Sequence, residues 1–128
     1  MRALLETHAF LWWIDDDRKL SQRARTFVTN PLNDLFLSIV SAWEIVLKAR
    51  AGRSPLSGDV PQVLETQLQL NEIATLDLSR AHLTRFYRLP AHHRDPFDLL
   101  LVAQAQVENL PIVTADAQIA KYDVQVIW

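Results

Sequence analysis

The chain has 128 residues, of which 49% are apolar and 22% are charged, and it carries no cysteine. This length and composition predict one folded domain over 1–128, argue against disorder, and exclude disulfides and thiolate catalysis. With a formal net charge of −2, the chain lacks the basic footprint of a high-affinity nucleic-acid binder. It still allows an enzyme that holds a few phosphates through a metal and local arginines.

In chain order the sequence predicts a strand at 3–5, helices at 7–14 and 22–29, a strand at 35–39, helices at 42–52 and 60–70, a strand at 72–76, helices at 78–89 and 96–109, a strand at 110–113, a helix at 117–122 and a strand at 124–128. The strands are short and nearly continuously apolar, which is typical of parallel strands covered on both faces. With right-handed crossovers they predict an α/β fold, a three-layer α/β/α sandwich around a short parallel sheet.

Polar residues in front of the predicted helices are expected to cap their free backbone N–H groups. The expected caps are Thr7, Ser21, Ser41 or a neighbour, Ser79 and Asp95. Pro96 then stands at the first helical position, where its missing N–H costs nothing.

The apolar N-terminal segment 1–13 raises the question of a signal peptide or a membrane span. Glu6 and His8 interrupt its apolar region, and no small-residue cleavage site precedes the acidic residues 15–17. The chain also has no run of about 18 apolar residues. We therefore expect no signal peptide, no membrane partner and a cytoplasmic location.

Four carboxylates lie where a purely structural chain would place another residue type: Glu6, Glu44, Asp98 and Asp116. Two of them follow predicted strands, and two interrupt apolar stretches of predicted helices. Because an unpaired buried carboxylate is costly, a shared divalent cation at the carboxyl edge of the sheet is the simplest explanation. Oxygen ligands without cysteine or paired histidine favour Mg²⁺ or Mn²⁺ over zinc.

Each acid, considered singly, also has a structural explanation. Asp116 and Asp95 could be helix N-caps. Glu44 could pair with Lys48 four residues later, and Glu6 could meet solvent at the end of its strand. Their coincidence in one small domain favours the shared site.

The histidines are weaker indicators of function. His8, His92 and His93 could each contact a substrate, whereas His82 is expected at the surface. Two glycines are too few for a glycine-rich phosphate loop.

Five segments together span nearly the whole chain: LLETH at 4–8, SIVSAWEIVLKARAGR at 38–53, HRDPFDLLLVAQA at 93–105, LPIVTAD at 110–116 and the closing VQVIW. In this order they resemble PIN-domain proteins, and specifically the toxins of VapBC-type toxin–antitoxin pairs. The resemblance implies a PIN-like domain with an acidic pocket for Mg²⁺ or Mn²⁺, and endoribonuclease activity. It also implies a homodimer and a cognate VapB-type antitoxin.

Carried over by position, the resemblance implies four catalytic acids, Glu6, Glu44, Asp98 and Asp116. Glu6, Asp98 and Asp116 are its implied metal ligands. Asp95 and Thr114 are its implied auxiliary residues.

Glu6 departs from the family pattern, which normally has Asp in an LLDTH-like context. The extra methylene places the carboxylate about 1.5 Å further out, and Mg²⁺ tolerates displaced ligands poorly. A misplacement of that order can lower a rate about 10²-fold. We therefore expect metal binding to survive and activity to be reduced. Leu99 is a smaller departure, because a basic residue is common there.

These features favour a metal-dependent endoribonuclease that hydrolyses RNA phosphodiester bonds as the toxin of a type II toxin–antitoxin pair. The alternative is a catalytically weakened PIN-fold module that acts mainly by dimerisation and antitoxin binding. A DNA nuclease with the same metal chemistry stays open, because RNA rests on the resemblance alone. A phosphoacceptor receiver domain is disfavoured, because no acidic pair ends the first strand and no lysine ends the last.

Overall fold

The chain folds into alternating strands and helices, which a computed structural model describes for residues 1–128. In chain order the elements are β1 (Arg2–Leu5), α1 (Thr7–Ile14), α2 (Gln22–Thr29), β2 (Asp34–Ser38), α3 (Ile39–Arg50), α4 (Val60–Leu70), β3 (Ile73–Leu76), α5 (Arg80–Arg88), α6 (Pro96–Glu108), β4 (Ile112–Val113), a 3-10 turn (Ile119–Lys121) and β5 (Val126–Ile127). No helix combines the length and the hydropathy that crossing a membrane requires.

The five strands form one parallel sheet in the order β3-β2-β1-β4-β5. At its centre, Leu4 of β1 lies opposite Phe36 of β2 and Ile112 of β4. The predicted fold class, a three-layer α/β/α sandwich around a short parallel sheet, is confirmed. Because every strand runs in the same direction, all carboxyl ends share one edge of the sheet, where ligand sites of such folds collect.

The side chains of β1 alternate between the two faces of the sheet and divide the core into two halves. Leu5 packs on one side with Phe10 of α1 and with Ile45 of α3. Leu4 packs on the other side with Leu101 of α6. Burial on both faces fixes the register of β1 and with it the position of Glu6, the next residue.

The cap of α1 differs from the sequence prediction. Glu6, not Thr7, is the N-cap, and its carboxylate accepts the backbone N–H of His8. The Thr7 hydroxyl is buried and donates instead to the Ser41 hydroxyl, at 2.8 Å. This contact with α3 takes Thr7 away from the capping position, and the neighbouring carboxylate replaces it.

The start of α3 also differs from the prediction. The helix begins at Ile39, and its cap is Ser38, whose hydroxyl accepts the Val40 N–H at 3.0 Å. Ser41 therefore lies inside the helix. The strand β2 ends at Ser38, so strand and helix follow each other without a loop. The predicted caps Ser21, Ser79 and Asp95 are confirmed.

The predicted helix at 117–122 is a 3-10 turn, Ile119–Lys121. Asp116 Oδ1 accepts the Gln118 N–H at 2.8 Å, which closes a tight turn after β4. The Tyr122 backbone is already extended, and its hydroxyl donates to the Pro90 carbonyl at 2.7 Å. So short a segment gains too little from helical hydrogen bonds to resist this tertiary contact.

His82 is buried, with 2% of its surface exposed, so the prediction of a surface position was wrong. Its Nδ1 accepts the Ser79 N–H at 3.0 Å, which completes a capping box for α5. Its Nε2 lies 2.8 Å from Oε2 of Glu108 on α6. Burial is possible because both ring nitrogens have partners.

Candidate functional site

The sheet order brings the predicted acids to one place. Glu6 directly follows β1, and Glu44 lies on α3, which directly follows β2. Asp116 follows β4, and Asp98 lies in the first turn of α6. Because β1 lies between β2 and β4 in the sheet, three of these segments leave neighbouring strand ends.

Asp98 and Asp116 approach each other around the imidazole of His93. His93 Nε2 lies 2.9 Å from Oδ2 of Asp116 and 3.1 Å from Oδ2 of Asp98. These three ligand atoms lie within 4.8 Å of one another. The groups from α6, the segment before it and the segment after β4 thus form the centre of the site.

Asp95 holds the entry to α6. Its Oδ1 accepts the Phe97 N–H at 2.9 Å, as expected of an N-cap, and its own N–H donates to Nδ1 of His93 at 3.1 Å. Asp95 therefore fixes both the start of the helix that carries Asp98 and the orientation of the imidazole.

Glu6 is buried beside this centre, and both of its oxygens have partners. Oε2 accepts the His8 backbone N–H and lies 3.2 Å from the His8 ring, and Oε1 accepts from the Thr114 hydroxyl at 3.3 Å. The Thr114 hydroxyl also accepts the Asp116 N–H at 3.0 Å. Thr114, which the sequence predicts as an auxiliary residue, thereby links Glu6 to Asp116.

Glu44 is buried, and only one of its oxygens is paired. Oε2 lies 3.1 Å from the Lys48 ammonium, the pairing that the spacing also suggested. Oε1 is shielded from solvent and has no hydrogen-bond partner, alone among the buried side-chain polar atoms. A buried carboxylate oxygen without a partner is destabilising unless a cation or proton reaches it.

The pKa values show that the acids influence one another. Burial, followed by the charges of Asp95, Glu6 and Glu44, raises the pKa of Asp98 to about 7, against an opposing effect of His93. Such a shift is expected when several carboxylates crowd one partly desolvated space.

Two further groups have shifted pKa values. Burial would raise the pKa of Asp116, but its hydrogen bonds with His93 and with the Gln118 backbone outweigh that effect and lower it. The hydrogen bond with Glu6 raises the pKa of His8, although burial opposes it. Hydrogen-bond donors thus stabilise the charged form of Asp116, whereas no comparable donors stabilise the charged form of Asp98.

The residues present fit a divalent cation. Asp98 and Asp116 direct one oxygen each toward the same region, and Glu44 adds a buried oxygen without a partner. Carboxylate oxygens are the donors that Mg²⁺ and Mn²⁺ accept. Glu6 and Glu44 lie outside the innermost group, so a cation at the centre would meet Asp98 and Asp116 first.

The structure therefore brings all six predicted site residues to one region, where they form an inner pair and a surrounding group. Asp98 and Asp116 are joined through His93. Glu6, Glu44 and Asp95 are connected to Asp98 by charge, and Thr114 by its hydrogen bonds. The role of His93 was not predicted beyond a possible substrate contact. Its position two residues before the cap Asp95 is the one local signal for it.

A family model for the PIN domain matches residues 3–125 of the chain. No curated protein sequence matches it significantly.

Among solved structures, VapBC2 from Rickettsia felis, bound to a DNA fragment from its promoter, is similar with a TM-score of 0.68 and 17% identity, over 98% of this chain and 97% of that one. VapBC-1 from nontypeable Haemophilus influenzae gives a TM-score of 0.68 at 16% identity, over 98% and 96% of the two chains. VapBC-5 from Mycobacterium tuberculosis gives 0.64 at 21% identity, over 98% and 97%. At these identities the similarity shows a shared fold. Since the family model spans nearly the whole chain, including every residue of the site, the chain belongs to the PIN domain family.

Proposed function

We propose that the chain is a metal-dependent endoribonuclease and the toxin of a type II toxin–antitoxin pair. The observation that carries this proposal is the cluster in which Asp98 and Asp116 converge while a buried Glu44 oxygen lacks a partner. PIN domains are generally nucleases, which supports hydrolysis of a phosphodiester. RNA, rather than DNA, follows from the VapBC-type resemblance.

The proposed cofactor is Mg²⁺ or Mn²⁺, held by Asp98, Asp116 and Glu6. A divalent cation supplies Lewis acidity and charge neutralisation to phosphodiester hydrolysis. Glu44 Oε1, a carboxylate oxygen without a hydrogen-bond partner, is the group that we assign to accept a proton from an attacking water. Lys48 and His8 flank the acids and are each partly exposed, so they are placed to meet a substrate phosphate.

The proposed partners are a VapB-type antitoxin and a second copy of the chain. The antitoxin is supported by the solved relatives, which are VapBC toxin–antitoxin proteins. The second copy is supported by apolar side chains that α3 exposes at four-residue spacing, Ile39, Trp43 and Leu47. Exposed apolar patches of this kind are typical of protein interfaces.

A second candidate function is a PIN-fold module with little catalytic activity. Glu6 favours it, because both carboxylate oxygens are engaged by His8 and Thr114 and the side chain caps α1. A ligand already occupied in this way is poorly placed to complete a metal site.

The test is cleavage of a labelled panel of RNA and single-stranded DNA by the purified, antitoxin-free chain with Mn²⁺, Mg²⁺ or EDTA. We expect metal-dependent cleavage of RNA that Asp98→Asn abolishes. Cleavage of DNA alone would mean that the substrate is DNA and not RNA. No cleavage by the folded wild-type chain, together with cleavage by Glu6→Asp, would favour the weakened module.

A further inference from the structure

His93 lies in the segment before α6, with 14% of its side chain exposed, between the two innermost acids. Its Nδ1 accepts the Asp95 backbone N–H at 3.1 Å. A ring nitrogen that accepts a hydrogen bond carries no proton, so the neutral ring has its proton on Nε2. The backbone at the start of α6 therefore fixes His93 as an Nε2–H donor.

This Nε2–H group donates to the same Asp116 oxygen that a cation would need. Asp116 Oδ1 is already held by the Gln118 N–H at 2.8 Å, which leaves Oδ2 as the available oxygen. Oδ2 is the atom that His93 contacts, at 2.9 Å. The Asp98 oxygen nearest to His93, also Oδ2, lies 3.1 Å from the same nitrogen.

The same fixed tautomer prevents His93 from being a metal ligand in this arrangement. Coordination through Nε2 requires the lone pair that the proton occupies, and Nδ1 is engaged by the Asp95 N–H. The hydrogen of an N–H donor lies about 2 Å from its acceptor, which is also the length of a bond from Mg²⁺ to oxygen. Donor and cation thus compete for one position on Oδ2 of Asp116.

We propose that His93 is a displaceable clamp that holds Asp116 beside Asp98 in the metal-free protein, through its hydrogen bond to Oδ2 of Asp116, and must release Asp116 when the cation binds. The inference rests on the proposed metal site. It makes His93 a positioning residue that lowers metal affinity while it stabilises the crowded acids. Asp116 is thereby kept in place beside Asp98 before the cation arrives.

The test is a titration of the EDTA-stripped protein with Mn²⁺, in which free Mn²⁺ is followed by electron paramagnetic resonance. Loss of one hydrogen bond to a charged group corresponds to about a tenfold change in an equilibrium constant. We expect His93→Ala to bind Mn²⁺ about five- to tenfold more tightly than the wild type, although its metal-free melting temperature falls. His93→Gln keeps an N–H donor and should stay near the wild-type affinity.

His92→Ala is the matched control, because the neighbouring ring is exposed and packs on Tyr122 instead of the acids. It should leave the affinity unchanged. Weaker or unchanged binding by His93→Ala would overturn the clamp and leave the metal site standing. A folded wild type that binds no Mn²⁺ at millimolar concentration would overturn both.

A second measurement needs no substitution at the site. The ring nitrogens of His93 in ¹⁵N-labelled wild-type protein should show the Nε2–H tautomer without metal, and a changed Nε2 environment at saturating Mg²⁺. An Nε2–H bond to Asp116 that persists unchanged in the Mg²⁺-saturated protein would contradict the proposal, even if His93→Ala failed to fold.

Discussion

The Thr114 hydroxyl lies 3.3 Å from Oε1 of Glu6, although the two residues are 108 positions apart in the chain. The contact exists because β1 and β4 are neighbours in the sheet, with Leu5 opposite Val113. Glu6 directly follows Leu5, and Thr114 directly follows Val113. The hydrogen bond anchors the longer side chain of Glu6, while its other oxygen caps α1.

Glu6→Asp is expected to raise RNA cleavage in a protein that stays folded. Asp is among the best N-cap residues, so α1 keeps its cap. The shorter side chain withdraws the carboxylate from Thr114 and leaves it free for the cation. If the longer side chain of Glu6 is what limits catalysis, the initial rate of cleavage should rise by up to about 10²-fold.

The matched control is Glu6→Gln, which keeps the length and removes the charge. It should not gain activity. An equal or lower cleavage rate for Glu6→Asp, in a protein that remains folded, would show that the longer side chain is not what limits catalysis.

The raised pKa of Asp98 makes the stability of the metal-free protein depend on pH. Burial and neighbouring acids raise this pKa to about 7, against about 3.9 for an unfolded aspartate. Between these values the native state holds a proton that the unfolded state has released. The free energy of unfolding therefore falls as the pH rises through this window.

Asp98→Asn should remove that fall. In EDTA, its free energy of unfolding relative to the wild type should increase by about 1–3 kcal/mol between pH 4.5 and pH 7.5, measured by urea denaturation. Asp77→Asn, at an exposed position, should show no such trend. Parallel pH profiles for Asp98→Asn and the wild type would mean that the Asp98 carboxyl titrates normally.

Much of the fold was predictable because its signals are local. The apolar run that forms β1 and the Asp95-Pro96 start of α6 each specify an element without help from distant residues. The cap of α1 was not predictable, because the Thr7 hydroxyl is drawn to Ser41, 34 residues away. Local preference alone would have placed Thr7 at the cap.

Part of the site was likewise predictable from local sequence, and part of it was not. The four acids were recognisable as residues that do not suit an apolar environment, and the sheet order explains why they meet. The clamp by His93 depends on Asp116, 23 residues later, and on a backbone N–H that no pattern marks. The burial of His82 likewise depends on Glu108 of another helix, although Ser79 three residues earlier was a usable sign of a capping box.

Lys48→Met should destabilise the metal-free protein, because it leaves the buried Glu44 carboxylate without its single partner. With 38% of the Lys48 side chain exposed, solvent screens the pair, so we expect a loss of about 1–2 kcal/mol in the free energy of unfolding. Urea denaturation in EDTA measures it. Saturating Mn²⁺ should recover part of the loss.

Two comparisons isolate this effect. Lys121→Met removes an exposed lysine from the 3-10 turn and should be neutral. Adding Glu44→Gln to Lys48→Met should restore most of the stability. A double variant as unstable as Lys48→Met alone would place the loss in packing of the lysine stem and not in the unpaired charge.

The pair formed by His82 and Glu108 should contribute to stability without affecting the site. His82→Leu leaves the Ser79 N–H and the Glu108 carboxylate without their partner, and we expect a loss of about 1–3 kcal/mol. Glu108→Gln keeps a hydrogen-bonding group and should lose less. Mn²⁺ affinity should be unchanged in both, and a change in it would show that α5 and α6 transmit strain to Asp98.

Substitution of the exposed Trp43 tests whether the chain self-associates through α3. Its side chain packs against Phe97, with ring centroids 5.0 Å apart, yet 57% of the residue is exposed on α3 between Ile39 and Leu47. Burial of so large an apolar surface would stabilise an interface by roughly 1.5–3 kcal/mol, so its loss should raise a dimer dissociation constant at least tenfold. We expect light scattering of the wild type to give twice the chain mass and Trp43→Ser to shift toward the monomer. Tyr87→Ser, a more exposed aromatic on α5, tells whether the interface extends to that helix. A wild type that stays monomeric at high concentration would contradict the homodimer and leave the face of α3 to another partner.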